Sequence, residues 1–343
     1  LPHGRLTASA LETYLNAPFV YLLRYGLGME AFEEKRELGF DDFGALLHKV
    51  LERYANEQFD ASEAGCDQLS DEAAIRARIG EIADGVFARF GAPLTANLRL
   101  QLEAARGRLE AFAKVQATWA ADGWRVGARA ERTFQVKPFD DLDVEVRGSV
   151  DRIDCRVGPD GRKEYRLVDY KTWDDASQAA SHVRARSAEQ IAFADRLGLP
   201  TTPPDAAGAR TRLLTVQLPL YGRCLEVDDP GTFAGRIVDY CYLVLGADAE
   251  NVKPYGSALP FGGRKPPAQA VKLLELRELA LETARTAIRR ITENVFWPPR
   301  AAAGCALHDF AGLVLLSPER DQGEGEGRSA WLKAQEAKLE ALA

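Results

Sequence analysis

Two short stretches of this sequence place charged residues in frames otherwise apolar: Gly148-Ser149-Val150-Asp151-Arg152-Ile153-Asp154 and Leu167-Val168-Asp169-Tyr170-Lys171-Thr172. Side chains alternate across a strand, so Asp169 and Lys171 share one face, while Val150, Ile153, Leu167 and Val168 mark the strands as largely buried. An unpaired carboxylate in such a place is costly and needs a reason, and a bound cation is one. Two carboxylates at adjacent strand ends suit a hard ion such as Mg²⁺, which takes a few oxygen ligands and keeps positions for water and a substrate phosphate. Lys171 beside them can orient an attacking water, help lower its pKa, or neutralise charge on a five-coordinate phosphorus. A lone Asp-Tyr-Lys triplet would be a solvated surface pair of little consequence. The full set, emerging from a buried sheet, reads instead as a metal-dependent site.

The elements that must hold these residues follow from the periodicity. The first 120 or so residues read as helices. Ser9 with Glu12 forms a capping box ahead of Leu11, Tyr14, Leu15 and Phe19. Asp41 and Asp42 open a second helix carrying Leu46, Leu47, Val50, Leu51 and Tyr54, Ser70-Asp71-Glu72 starts a third, and a fourth runs from about Asn97 to Ala121. The period then changes. Trp124 to Val136, Leu142 to Arg156 and Glu164 to Tyr170 are β-rich, and Gly158-Pro159-Asp160-Gly161 supplies hairpin turn chemistry between the last two. Residues 172–210 read as irregular, followed by a helix near Thr211 to Leu225, a buried strand within Gly235 to Leu245 and a mobile or ligand-facing loop from Gly256 to Pro267. A long amphipathic helix spans Ala268 to Phe296, and a linker over Ser317 to Gly327 precedes a terminal helix from Ser329.

Composition bounds the answer without deciding it. With 343 residues, 46% of them hydrophobic, the chain can bury a real core. No run approaches the roughly 18 apolar residues of a membrane span, and there is no signal-peptide pattern, so a cytoplasmic address without membrane contact is the default expectation. The chain starts at Leu1 and its one methionine is Met29, which suggests a piece of a longer polypeptide. A net charge of −7 argues against nonspecific coating of nucleic acid but says nothing of a local groove. Cys66, Cys155, Cys224, Cys241 and Cys305 are scattered singly, which fits free thiols rather than a zinc or redox pair.

The two charged segments resemble the second and third motifs of the PD-(D/E)XK nuclease superfamily, in its RecB/AddB branch. Two further segments agree in type and order: Gly44-Ala45-Leu46-Leu47-His48 resembles the branch's helical G-x-x-x-H motif, and Gln217-Leu218-Pro219-Leu220-Tyr221 its downstream Q-x-x-x-Y motif. The opening helix with Pro18-Phe19 is also similar to the family's. The resemblance implies an α/β fold with a restriction-endonuclease-like mixed β-sheet core flanked by helices. It implies an N-terminal helical subdomain over 1–122 carrying His48, a nuclease core over 123–300 and a C-terminal extension over 301–343. It further implies that His48, Asp151, Asp169 and the Tyr170 carbonyl are metal ligands, that Lys171 is the catalytic lysine, and that Gln217 and Tyr221 contact the phosphate backbone or brace Lys171. A lone helical His is more often packed than ligating; Gly44, leaving room for a neighbouring backbone or DNA strand, favours ligation here. Asp154 reads as an outer, salt-bridging residue. Glu131 could hold water or a second metal, but reads first as a surface strand residue.

The implied activity is hydrolysis of DNA phosphodiesters with Mg²⁺ or Mn²⁺, as exonuclease or end-resection chemistry in double-strand-break repair. Partners would be single-stranded or duplex DNA ends and an AddA-like helicase, since no phosphate-binding G-x-x-x-x-G-K-[ST] loop is present. A stand-alone exonuclease is an alternative. Many AddB-type nucleases hold an iron–sulfur cluster; Ala17 stands where its first cysteine would be and the C-terminal part has only Cys305, so no cluster is expected. Arg24, Arg152, Arg264, Lys265 and Thr172 are candidate phosphate contacts. The rival readings are a non-catalytic DNA-binding scaffold and a hydrolase of small phosphates.

Overall fold

An edge strand β1 (Arg5–Leu6) leads into helix α1 (Ala8–Asn16), and after a helical turn at Pro18–Tyr21 and a π-helical turn at Leu22–Gly26 come three long helices, α2 (Phe40–Glu63), α3 (Glu72–Phe87) and α4 (Ala96–Ala121). Strands β2 (Arg125–Val126), β3 (Arg132–Val136), β4 (Glu145–Val150), β5 (Arg152–Val157) and β6 (Lys163–Lys171) follow. The rest comprises β7 (Arg184–Ala185), α5 (Ala188–Leu197), β8 (Arg212–Leu213), α6 (Gln217–Asp228), β9 (Ile237–Leu245), β10 (Val252–Tyr255) and α7 (Arg277–Thr292). This computed structural model describes residues 5–29, 39–91, 94–173, 181–267 and 270–296. The segment Trp297-Pro298-Pro299, Cys305, the linker and the terminal helix lie outside them.

The central sheet has the order β10-β9-β6-β5-β2, with β6 and β9 parallel and the other neighbours antiparallel. A second sheet, β1-β4-β3, pairs β1 parallel to β4. Asp151 is the single residue between β4 in one sheet and β5 in the other. Alternation along β6 then builds two cores. Val168 and Tyr170 turn toward α2, α3 and α4, where they meet Leu47, Tyr54, Ile79 and Phe112. Tyr165 and Leu167 turn toward α1, α6 and α7, joining Leu11, Leu15, Leu218 and Ile288. The result is a mixed sheet with helices on both faces, as expected. No helix among the described residues is long and apolar enough to cross a membrane.

Several element ends differ from the sequence reading, each for a physical reason. The cap of α1 is Thr7, whose Oγ1 accepts the Ala10 N–H at 3.1 Å; a Ser9–Glu12 box is therefore not formed. Asp71 and Thr95 cap α3 and α4 by accepting from Ala74 and Leu98, a contribution of about 1 kcal/mol each. The stretch read as irregular over 172–210 contains α5, capped by Ser187 and closed by Gly198 at φ 63°; both signals were in the sequence, masked by the surrounding Ala, Pro and Thr. Residues 212–213 extend into β8 before α6 begins at Gln217. Helix α7 starts only at Arg277, residues 270–276 before it being non-helical. The loop from Gly256 to Pro267 is tied to β9, where Asp239 accepts from Ser257 Oγ and the Ala258 N–H at 2.5 and 2.8 Å.

On the α4 side, β5 and β6 bury a closed charge cluster. Arg152 Nε and Arg166 Nη2 each donate to Asp154, at 2.6 Å. The Arg166 guanidinium lies over the rings of Trp119 and Trp124, 4.1 and 4.5 Å from their centroids. Asp154 is thus the salt-bridging residue it was read to be. Arg152 is corrected: it is fully buried on the face opposite Asp169 and cannot reach a phosphate.

Candidate metal and catalytic centre

The register Arg152↔Val168 sets Asp151, at the sheet junction, across from Asp169 near the end of β6. The Tyr170 N–H donates to Asp151 Oδ2 at 2.8 Å, fixing that carboxylate against the strand. From the other layer, α2 delivers His48: its Nε2 lies 3.1 Å from the Tyr170 carbonyl oxygen and its Nδ1 3.5 Å from Asp151 Oδ2. The Tyr170 ring anchors this approach by packing edge-on against both His48 and Phe112.

Glu131, partly exposed just before β3, turns its carboxylate to the same place. One ligand atom each of His48, Glu131 and Asp151 falls within 4.8 Å of the others. Glu131 adopts a left-handed φ of 56° immediately before β3, its N–H donates to the Asp151 carbonyl at 3.2 Å, and its Oε2 accepts from Ser149 Oγ at 2.6 Å. A non-glycine residue held at positive φ by two such contacts is a conformation the site maintains at a cost. Nothing in the local sequence signals that kink.

Asp169 faces α6. Gln217 Nε2 donates to Asp169 Oδ1 at 2.7 Å, Lys171 Nζ donates to Gln217 Oε1 at 3.1 Å, and Lys171 Nζ stands 2.9 Å from Asp169 Oδ2. Gln217 therefore braces the acid–lysine pair directly. Tyr221, one turn on, packs its ring edge-on against Phe134 while its hydroxyl hydrogen-bonds the Gln217 side chain, and a Cβ at Gly148 would come within 3.0 Å of that ring and 2.7 Å of Phe134. Gly148 is the residue that lets α6 sit this close. At Gly44, by contrast, a Cβ would make only ordinary contact, 3.5 Å from Thr172 Oγ1, so no neighbouring backbone among the described residues demands that glycine.

The electrostatics express unmet negative charge. Burial and then the neighbouring Asp169 push the Asp151 carboxyl well above the usual range, against the Tyr170 N–H that lowers it. Burial keeps His48 below its ordinary value despite Asp169, leaving a neutral imidazole with a lone pair to give. Burial opposes the charge of Lys171, but Asp169 outweighs it and the ammonium is held more firmly than usual. A divalent cation fits this donor set. One ligand atom each of His48, Glu131 and Asp151 lies within 4.8 Å of the others, the Tyr170 carbonyl oxygen is 3.1 Å from His48 Nε2, and the Asp169 carboxylate stands beside them, held at 2.9 Å by Lys171: oxygen donors with one neutral imidazole, the set a hard cation takes.

A further ring around Lys171 was not anticipated. Lys171 Nζ lies 5.3 Å from the Tyr242 ring centroid; Tyr242 packs with Trp173 and His182, and His182 Nε2 is 3.6 Å from Glu12 Oε1. Because Thr7 caps α1, Glu12 is free to face inward, where burial raises its carboxyl pKa and Lys171 works the other way. The one signal available was a carboxylate flanked by Leu11, Tyr14 and Leu15. Of the candidate phosphate contacts, Arg264 and Lys265 are exposed and Thr172 is half-buried beside Gly44.

The family model of the PD-(D/E)XK nuclease superfamily matches residues 5–309. Curated relatives include the B subunit of the ATP-dependent helicase/deoxyribonuclease of Clostridioides difficile (strain 630), 27% identical over 184 residues. The protein of the same name from Lacticaseibacillus casei (strain BL23) is 24% identical over 215 residues. These alignments cover 49% and 58% of this chain but only 15% and 18% of the relatives, so the chain corresponds to a small part of much longer proteins. The match over most of its length, together with the mixed sheet and the acid–lysine centre at its strand ends, establishes that this chain belongs to the PD-(D/E)XK nuclease superfamily.

Proposed function

We propose that this chain hydrolyses DNA phosphodiester bonds with Mg²⁺, Mn²⁺ substituting, as the nuclease part of an AddB-like protein that resects DNA ends beside a helicase in the cytoplasm. The observation that carries the reading is the surplus of buried carboxylate around Asp151, met by a lysine braced through Gln217. His48, Asp151, Asp169 and the Tyr170 carbonyl would hold the cation, with Glu131 turned to the same place. When bound, it would acidify a water and offset charge on the phosphate. Lys171 presents a fixed ammonium where negative charge grows on the phosphoryl oxygens, and its position is set by Asp169 and Gln217 before substrate arrives. Neutral His48 can serve as ligand without first losing a proton. Tyr221 holds Gln217 through its hydroxyl and packs α6 against Gly148, and so braces Lys171 at one remove.

The test is cleavage of end-labelled single- and double-stranded DNA with Mg²⁺, Mn²⁺ or EDTA. Asp169→Ala and Lys171→Ala are expected to cut at least about 10²–10³-fold more slowly than wild type at matched folding. A wild type that binds DNA in Mg²⁺ and never cuts would overturn the reading in favour of a scaffold.

A further inference from the structure

Away from the metal centre, a cavity of about 370 Å³ opens beside β1 and β4, lined by Arg5, Thr7, Tyr21, Tyr25 and Arg147 among others. We propose that it holds one nucleotide of the single strand flanking the scissile bond, Arg147 taking its phosphate and Tyr25 its base. The proposal rests on the nuclease reading above and deepens it.

The volume lies within the range of pockets that take small ligands, and the lining is of two kinds. Arg147 is exposed on β4 and has no hydrogen-bond or ion-pair partner among the described residues. Arg5 is offset by Glu145, 3.5 Å from its Nε, which also accepts from Gln135 at 2.7 Å. The cavity therefore carries an uncompensated guanidinium, a group suited to phosphate. The second kind is aromatic. Phe296 stacks on Tyr21 with an interplanar angle of 14°, and Tyr21 leans on Tyr25 at 32° with centroids 5.4 Å apart. Tyr25 is the last rung of this ladder and borders the cavity. It is presented by the π-helical turn, in which the Leu27 N–H reaches back to the Leu22 carbonyl at 2.9 Å; such turns cost stability and concentrate at functional sites.

Direction links the cavity to the chemistry. Arg147 and Ser149 alternate to one face along β4, which ends at Val150 just before Asp151, and Ser149 already touches Glu131 of the centre. Arg147 lies about 7 Å from Ser149 on a strand rising ~3.3 Å per residue. A strand leaving the centre along β4 would carry its phosphates over Ser149 toward Arg147. Cationic groups with stacking aromatics are how single strands are held without regard to sequence.

The experiment is anisotropy of a fluorescein-labelled oligothymidine in EDTA across a KCl series, with turnover of bis(4-nitrophenyl) phosphate in Mg²⁺ as the readout for the centre alone. Arg147→Ala is expected to flatten the slope of log affinity against log salt by about 0.7, one single-strand phosphate contact. Tyr25→Ala is expected to weaken binding about tenfold with the slope unchanged, and Tyr25→Phe, which keeps the ring, to bind as wild type. All three should turn over the small diester normally and melt within a few degrees of wild type. Unchanged binding by Arg147→Ala and Tyr25→Ala, in a protein that binds and cuts, overturns the subsite and leaves the nuclease standing. Losses as expected in a protein that never cuts sink the nuclease reading and, with it, the subsite's place beside a scissile bond. A wild type with no affinity for oligothymidine overturns the subsite.

Discussion

Two clusters of buried charge lie on opposite faces of β6, and they are built to opposite ends. On the α4 side Arg152 and Arg166 close on Asp154 under Trp119 and Trp124, with Asp239 near Arg166 as the second acid. Positive and negative groups balance. On the α6 side Glu131, Asp151 and Asp169 face one firmly charged group, Lys171, and a neutral His48. Acid is in excess. The same short motif feeds both: in Asp151-Arg152-Ile153-Asp154, the first carboxylate is left unmatched and the last is matched twice. Burying charge is tolerable when the protein supplies the partner; where it does not, the partner is expected from outside.

The sharpest way to break this comparison is to open the closed cluster. Asp154→Ala strands two buried guanidinium groups and should cost about 3–5 kcal/mol of stability, read as a lower urea midpoint at unchanged slope. A loss under 1 kcal/mol would mean that the arginines find water or other partners, and the contrast between the faces would fail.

A third outcome is visible beside Lys171, where a group escapes by giving up its charge. Burial and Lys171 hold His182 down to about 4 from its ordinary 6.5. Around it stand Glu12 on α1, Asp169 and Lys171 on β6, and Tyr242 on β9. The unfolded chain takes up a proton between those values and the folded one refuses it, so this contribution is full above pH 6.5 and is lost as pH falls toward 4. The loss amounts to at most about 3 kcal/mol. In urea titrations across that window His182→Asn should destabilise wild type less as pH falls; parallel profiles for the two proteins would rule the contribution out.

What the sequence disclosed divides along the same line. Asp151, Asp169 and Lys171 were legible because strand alternation is local and the flanking Val and Leu residues declare burial. Gln217 was legible as a position one helix away, though not as the hydrogen-bonded link between acid and lysine. Glu131 was legible only as the second of two readings, because its reach depends on a left-handed residue fixed by Ser149 and the Asp151 backbone, 18 and 20 positions later in the chain. Glu12 was read into a capping box, a local motif that Thr7 pre-empted. Arg152 is one of several candidate phosphate contacts in the sequence; only the stacking of α4 on the sheet reveals that its face is closed. The helices were found wherever caps and apolar stripes agreed, and α5 was passed over where a short stripe sat among small and turn-forming residues.

The smallest effect tests the open cluster, and its sign is the point. Replacing Asp151 by Asn keeps an oxygen to accept the Tyr170 N–H and removes one of the crowded negative charges. If the acids are retained for a cation and not for the fold, the metal-free Asp151→Asn protein should be more stable than wild type by roughly 0.5–2 kcal/mol, as is common where a site is strained for function. It should at the same time lose the rise in melting temperature that Mg²⁺ gives the wild type, since that rise is binding free energy expressed as stability. The measurement is paired thermal melts in EDTA and in Mg²⁺. A destabilised Asp151→Asn protein in EDTA would place Asp151 with Asp154 as a structural acid, and the two faces of β6 would differ in degree only.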